Sequence, residues 1–126
     1  MANNIIELDL LQYRGIKSSV FTGRPQGEQA RQNLNLDNLD NSNNAIHFVV
    51  PSGTTTITPS FFLGMLFDSI KKLGFEVYKQ KYFFNFKETS AEIVEILKSN
   101  IAEGERNAIN TVRDKRGYTK FLKANG

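Results

Sequence analysis

The stretch "TTTITPSFFLGMLFDSIKKLG", residues 54–74, carries both boundaries of a helix in its own sequence. Thr58 suits the N-cap, Pro59 stands at the first helical position, where its missing N–H costs nothing, and Gly74 supplies a left-handed stop. Between them, apolar residues recur at steps of three and four, which is typical of one buried helix face; they are Phe62, Met65, Leu66, Ile70 and Leu73. The stretch therefore predicts a β-prone lead-in followed by a packed helix.

The segments around this helix alternate between β-prone and helical patterns. The run "AIHFVV", residues 45–50, is rich in β-branched and aromatic side chains and predicts a central strand buried on both faces. Further predictions are two strands pairing with each other at 4–11 and 16–23, a helix at 24–35, a polar asparagine-rich loop at 33–44, and aromatic β segments at 75–78 and 81–86. A last helix is predicted from Thr89, with Gly104 as its weak point.

Length and composition favour one globular domain. The chain has 126 residues, of which 40% are hydrophobic and 23% charged, an ordinary balance for a protein with a packed core. We expect an α/β fold with a mixed β-sheet flanked by about three helices over residues 1–110. Residues 111–126 are expected to form a basic C-terminal tail or an extension of the last helix.

Several chemistries are absent from the sequence. There is no cysteine, which excludes disulfides, thiolate catalysis and cysteine-ligated metals. His47 is the sole histidine, and we interpret it as a core or edge residue satisfied by a neighbour. The beginning "MANNIIELDL" shows no signal-peptide pattern and no apolar run approaches the ~20 residues of a membrane span, so we expect a cytoplasmic protein.

Motifs of catalysis are also missing. There is no nucleophile elbow, no phosphate loop ending in Gly-Lys-Ser and no metal-ligand spacing, so we expect a non-enzymatic protein without a cofactor. "GRPQG", residues 23–27, precedes a helix, whose free amides attract anions. The alternative is structural: Gly23 and Gly27 would serve a turn and close packing, while Arg24 and Arg31 would form a solvated helix face.

Basic charge is concentrated at the C-terminal end. The net charge is +3, and residues 111–126 hold five basic residues against Asp114, which is 5 − 1 = +4; the remainder carries 3 − 4 = −1. Basic side chains interleaved with aromatic ones are typical of nucleic-acid contacts. This gives an alternative function, nucleic-acid binding, beside the simpler interpretation as a solvated tail; its residues would be Arg113, Lys115, Arg116, Lys120 and Lys123.

The layout resembles a known family. "TGRPQGEQAR" at 22–31 and "TITPSFFLGMLFDSIKKLG" at 56–74 look like the STAS-like domain family of unknown function, a distant relative of anti-sigma-factor antagonists. The resemblance covers roughly residues 4–100. It implies a regulatory protein-protein interaction module whose docking surface includes the turn and helix around Ser60; the residues it assigns to partner binding are Thr58, Pro59, Phe61, Gly64, Arg24, Gly27 and Arg31.

Ser60 is the residue to which the resemblance gives a regulatory role. In the better-known antagonists a serine at the matching turn is phosphorylated by a partner kinase with a GHKL-type ATPase fold. Those relatives carry Asp-Ser-Ser-Gly there, whereas this chain has Thr58-Pro59-Ser60-Phe61. A phosphate would add about −1.5 to −2 charges at a helix N-terminus, which tolerates an anion. The alternative is that Ser60 satisfies a backbone amide in the first turn.

Overall fold

The α/β class predicted from the sequence is confirmed. The structure, a computed structural model, describes the backbone of residues 4–14 and 17–125 and the side chains of residues 4–14 and 17–114. In chain order the elements are β1 (Ile5–Asp9), α1 (Leu11–Arg14), β2 (Val20–Phe21), α2 (Arg24–Asn33), α3 (Leu36–Asp40), β3 (Ala45–Val50), β4 (Thr56–Ile57), α4 (Pro59–Leu73), α5 (Phe75–Lys81), β5 (Tyr82–Phe86) and α6 (Ala91–Asn125).

The strands form two parallel sheets, which corrects the prediction of one mixed sheet. One sheet has the order β1-β3-β5 and the other pairs β2 with β4. Every pairing among the described strands is parallel, and β2 does not return to β1 as predicted. Helices stand between β1 and β3, and again between β3 and β5, so each strand re-enters the sheet in the same direction. About three helices were expected, and the described residues form six.

The larger sheet is covered on one face. On its inner face β3 buries Ile46, Phe48 and Val50, and the central position predicted for this strand is confirmed. Its outer face, predicted to be buried as well, is half-buried at His47 and Val49. The neighbouring outer positions on β1 and β5 are exposed, and most of them are polar, which suits a face in contact with water.

Helix α4 lies at the centre of the core, and its predicted boundaries are confirmed. Thr58 is the N-cap and accepts a hydrogen bond from the Phe61 amide, and Pro59 follows at the first position. Gly74 ends the helix with a φ of 84°, in the region that favours glycine. Phe62 and Leu66 are fully buried, because α4 packs against α2 on one side and α6 on another.

Helix α2 crosses α4 at two glycines that face each other. A Cβ atom built on Gly27 would collide with the carbonyl oxygen of Phe61 and lie 2.9 Å from the Met65 amide nitrogen. A Cβ atom on Gly64 would collide with the Arg24 carbonyl oxygen. Backbone therefore packs directly on backbone, and the close-packing interpretation of Gly27 is confirmed.

Two further helical segments differ from the sequence predictions. Residues 75–78, predicted as a strand, belong to α5, and the asparagine-rich segment predicted as a loop contains the single turn of α3. Gly104, predicted as the weak point of the last helix, does not interrupt α6, which continues to Asn125. A Cβ atom at Gly104 would lie 2.5 Å from the ring of Phe62, so this glycine lets α6 approach α4. Residues 111–125 accordingly belong to the extension of a helix.

The described helices include none with the length and apolar character that a membrane span requires.

The glycine crossing gives a first prediction. Replacing Gly27 by alanine is expected to lower the free energy of unfolding by about 2–3 kcal/mol, because the added methyl group meets backbone atoms that cannot move aside. Helix propensity alone would predict the opposite, a gain of roughly 0.5–1 kcal/mol. Urea unfolding followed by circular dichroism measures the change.

The matched control is Gln29→Ala, at an exposed position of the same helix, where the change should stay within about 0.5 kcal/mol. A Gly27→Ala variant as stable as this control would contradict the backbone contact.

Candidate functional site

Two strand-to-helix corners lie side by side at the carboxyl ends of the small sheet. Because β2 and β4 are parallel, the chain leaves both strands at the same edge and enters α2 and α4 there. The corners are joined directly: the Thr58 amide donates to the Phe21 carbonyl oxygen at 2.9 Å, and the Phe21 and Phe61 rings lie 5.0 Å apart. The N-termini of α2 and α4 therefore lie side by side. We call this place, which includes Ser60, the corner.

Ser60 is exposed on the first turn of α4. Its hydroxyl lies 3.1 Å from the Thr58 hydroxyl, which in turn accepts from the Phe61 amide at 3.2 Å. The capping bond is thus made by Thr58, and the Ser60 side chain is left at the surface. Thr58 and Pro59 beside it are half-buried. A modifying group on Ser60 would meet the amide end of a helix and open solvent.

Four residues that the resemblance assigned to partner binding are buried, which corrects that assignment. Phe61 is 1% exposed and packs in the core, and Gly27 and Gly64 form the helix crossing. Arg31, predicted on a solvated face, is 6% exposed. Arg31 and Gly64 line a polar cleft of about 310 Å³ between α2 and α4, together with the exposed side chains of Arg24 and Glu28.

Arg24 is accessible, as predicted. Its side chain is 52% exposed and lies 4.0 Å from the Glu28 carboxylate one turn further along α2. The guanidinium also lies over the Phe67 ring, 5.9 Å from its centre. Of the residues named from the sequence, Arg24, Thr58, Pro59 and Ser60 therefore form the reachable part of the corner.

Arg31 is the centre of a buried polar network that the sequence did not reveal. Its five N–H groups make five hydrogen bonds, to the Met65 carbonyl oxygen, the Ser69 hydroxyl and the carboxylates of Asp37 and Asp40. Asp40 is also buried and accepts from Ser69 at 2.7 Å and from Tyr82. The network ties α2, α3, α4 and β5 together.

One signal for this network was present in the sequence. Gly27, Ala30, Arg31 and Leu34 follow the spacing of a single helix face, so Arg31 stands within an apolar stripe where a solvated arginine does not belong. Its partner Asp40 lies in the asparagine-rich segment, where an acidic residue looks like one more polar loop residue. No spacing rule connects the two.

Burial and charge shift the pKa of several groups in and near the network. Burial acts to lower the pKa of Arg31, but its bonds to Asp37 and Asp40 outweigh this and raise it. Burial raises the pKa of Tyr82, and Asp40 raises it further. Burial likewise raises the pKa of Tyr78 well above its usual value, and the Glu105 carboxylate that its hydroxyl contacts at 2.9 Å adds to this effect.

His47 is placed as the sequence interpretation expected, at a half-buried position with a neighbour. Its Nδ1 lies 3.1 Å from the Asn85 side-chain amide, and its ring lies 5.0 Å from the Phe83 ring. No group of three or more metal-ligating side chains comes together within the described part of the chain. His47 therefore belongs to the outer face of the sheet.

The basic C-terminal segment is described in part. Arg113 is exposed and shares a cleft of about 450 Å³ with Lys71, Lys72 and Phe75, at the C-terminal end of α4. The side chains of the remaining residues of the nucleic-acid prediction lie outside the described residues, although their backbone belongs to α6; they are Lys115, Arg116, Lys120 and Lys123. The structure thus adds two lysines to the predicted basic group.

Comparisons with protein-family models, with curated proteins and with solved structures each find no match to this chain. The resemblance to STAS-like domains rests on the residues quoted above and stays a prediction.

The two buried tyrosines give a prediction for alkaline pH. An unfolded tyrosine ionises near pH 10, whereas burial raises the pKa of Tyr78 and Tyr82, so that both keep their protons to a higher pH in the folded state. Their contribution to stability is complete below pH 10 and is lost as the pH rises toward the folded pKa values, by up to about 1.4 kcal/mol per pH unit for each tyrosine. Urea unfolding at several pH values between 8 and 11 measures this slope.

The Tyr82→Phe variant separates the contribution of one tyrosine. It should be less stable at pH 8, by about 1–3 kcal/mol, because Asp40 loses a buried donor. Above pH 10 its stability should fall less steeply than that of the natural chain. Equal slopes for the two proteins would show that Tyr82 ionises in the folded state.

Proposed function

We propose that this chain is a non-enzymatic regulatory module that binds another protein through the corner formed by Arg24, Thr58, Pro59 and Ser60. The observation that carries the proposal is the exposure of Ser60 on the first turn of α4, while Thr58 makes the capping bond in its place. The corner is rigid because the residues behind it are buried. A rigid, accessible corner with one modifiable hydroxyl suits recognition by a protein surface.

Phosphorylation of Ser60 would switch this interaction. The phosphate would bring about −1.5 to −2 charges to a helix N-terminus, where the helix dipole favours negative charge, so the fold would be retained. A partner surface fitted to the neutral corner would meet a new, strongly hydrated charge. The resemblance described above suggests a GHKL-type ATPase or kinase as the partner that adds it.

A phosphomimetic substitution tests the switch. Ser60→Asp should leave the free energy of unfolding unchanged or raise it by about 0.3–1 kcal/mol, since an acidic residue in the first turn interacts favourably with the dipole. It should also lower the affinity for the partner that the natural chain captures, by about tenfold or more. Quantitative pull-down with mass spectrometry, followed by affinity measurement on the identified partner, gives both numbers.

Ser60→Ala and Ser99→Asp are the controls. The first removes the hydroxyl without adding charge, and the second adds the same charge at an exposed position of α6. Both should bind the partner as the natural chain does. The proposal would be wrong if Ser99→Asp weakened binding as much as Ser60→Asp, or if the natural chain captured no specific protein.

Nucleic-acid binding is a second candidate function, favoured by the basic cleft at the other end of α4. Lys71, Lys72 and Arg113 lie around one cleft at the point where α6 continues toward its basic end. Phosphates attract such a group without regard to base sequence. Phe75 in the same cleft offers a surface on which a base can stack.

A mobility-shift titration with single-stranded and duplex DNA at two salt concentrations tests this candidate. Binding that depends on phosphate contacts must weaken steeply as salt rises. Replacing both Lys71 and Lys72 by alanine should reduce the logarithmic salt slope by about 2. Lys87→Ala, an exposed lysine outside this cleft, should leave the slope unchanged, and a slope near zero for the natural chain would exclude this function.

A further inference from the structure

Strand β5 has an open edge that forms one wall of a groove. Among the strands that the structure describes, it is the last of its sheet and pairs with β3 alone. All five residues of β5 line a cleft of about 460 Å³, and the opposite wall is helix α6, at Lys98, Ile101, Ala102 and Glu105. Successive side chains of a strand point to opposite faces, so a cleft that touches every residue must follow the main-chain edge.

The main chain of β5 carries hydrogen-bonding groups along the edge opposite β3, where none of the described strands pairs with it. The Lys87 amide donates to the Val50 carbonyl oxygen of β3 at 3.0 Å, and groups on alternate residues of a strand point to opposite edges. The main-chain N–H and C=O groups of Tyr82, Phe84 and Phe86 therefore point away from β3. The Tyr82 amide is used by the end of α5, but Phe84 meets no further strand among the described residues. An edge of this kind is a template for another strand.

The side chains around the groove define the chemistry of what would fill it. The half-buried Ala102 supplies apolar surface on α6, next to the largely buried Ile101, and the half-buried Phe84 supplies it on β5. The charged residues that line the groove are two lysines, Lys79 and Lys98, and one carboxylate, that of Glu105. Since Glu105 is already held by Tyr78 at 2.9 Å and lies 3.6 Å from Lys79, an acidic group entering the groove would meet the remaining positive charge at Lys98.

We propose that this groove binds an extended acidic peptide segment of a partner protein, which adds as a strand to the open edge of β5. Main-chain bonds to Phe84 and Phe86 would supply affinity. Apolar side chains of the peptide would contact Phe84 and Ala102, and its acidic side chains would pair with Lys98. The five residues of β5 extend over about 16 Å, which matches about five residues of an added strand.

A second copy of the chain fits this groove poorly. The β5 strand of a second copy carries its own α6 along the same edge, and the two α6 helices would meet before the strands could pair. Two copies would also bring their Lys98 side chains together. A free peptide segment has neither obstacle. The proposal concerns a surface different from the Ser60 corner and stands whether or not that corner binds a partner.

The probe is a pair of synthetic eight-residue peptides, one alternating valine with glutamate and the other valine with lysine. Titrated into ¹⁵N-labelled protein, the glutamate peptide should shift the amide signals of Phe84 and Phe86 in a saturable manner and protect the Phe84 amide from hydrogen exchange. The lysine peptide should bind at least about tenfold more weakly.

Three variants place the binding in the groove. Lys98→Glu should lower the affinity for the glutamate peptide about tenfold without changing the fold, since Lys98 is exposed. Ala102→Trp should fill the groove and abolish binding, whereas Glu103→Trp, at the exposed neighbouring position of α6, should leave it intact. Circular dichroism checks that each variant is folded. If Ala102→Trp disturbs the packing of α6, the result with Lys98→Glu tests whether the peptide binds in the groove.

Other outcomes would overturn the proposal. These are the absence of shifts at Phe84 and Phe86 with either peptide, equal affinity for the two peptides, or binding unaffected by Lys98→Glu. A concentration-dependent dimer that Ala102→Trp abolishes, seen by sedimentation, would assign the edge to a second copy of the chain instead.

Discussion

The contact of backbone with backbone between Gly27 on α2 and Gly64 on α4 is the constraint from which the rest of the arrangement follows. Only glycine permits so short an approach, since a single methyl group at either position would enter the partner helix. The approach brings the Arg31 guanidinium within 3.0 Å of the Met65 carbonyl oxygen. The strands before the two helices, β2 and β4, pair in one sheet, so the starts of α2 and α4 also lie side by side.

Once α2 is this close, the arginine that it carries can be buried only if every donor is satisfied. The structure meets this condition with the carboxylates of Asp37 and Asp40, the Ser69 hydroxyl and the Met65 carbonyl oxygen. A buried ion pair of this kind adds little net stability, since both ions lose their water. Removing only one partner, however, leaves the other as an uncompensated buried charge. Its effect here is to fix one arrangement of four elements, because a displaced α3 or β5 would leave Arg31 without Asp40 or Asp40 without Tyr82.

The elements that could be predicted from the sequence are those whose signals are local. The start and end of α4 follow from Thr58, Pro59 and Gly74, each of which acts within one turn of its own position. Strand β3 and the last helix likewise follow from composition and periodicity. The pairing of β2 with β4 could not be predicted, because a parallel pair of two residues each carries no pattern of its own and its two strands lie far apart in the sequence.

The candidate site, too, could be predicted from the sequence only where its features are local. The exposure of Ser60 follows from the capping of α4 by Thr58, which is a local feature. The burial of Phe61, Gly64 and Arg31 depends on what packs against them, and a single sequence does not state this. The groove along β5 was out of reach for the same reason: the aromatic run of that strand is visible, but which edge remains open is decided by the order of the strands.

The two surfaces lie far apart in the chain but are connected through the core by one buried residue. Phe62, two residues after Ser60, is fully buried and contacts Gly104 on α6 and the rings of Tyr78 and Phe84 near the β5 groove. A path of packed side chains therefore runs from the corner to the groove, but contiguity alone does not transmit a signal; an element with two stable arrangements is required. Phe62 is fully buried, and a closely packed side chain resists displacement. We therefore expect a charge placed on Ser60 to act on whatever touches the corner, with little effect on the groove.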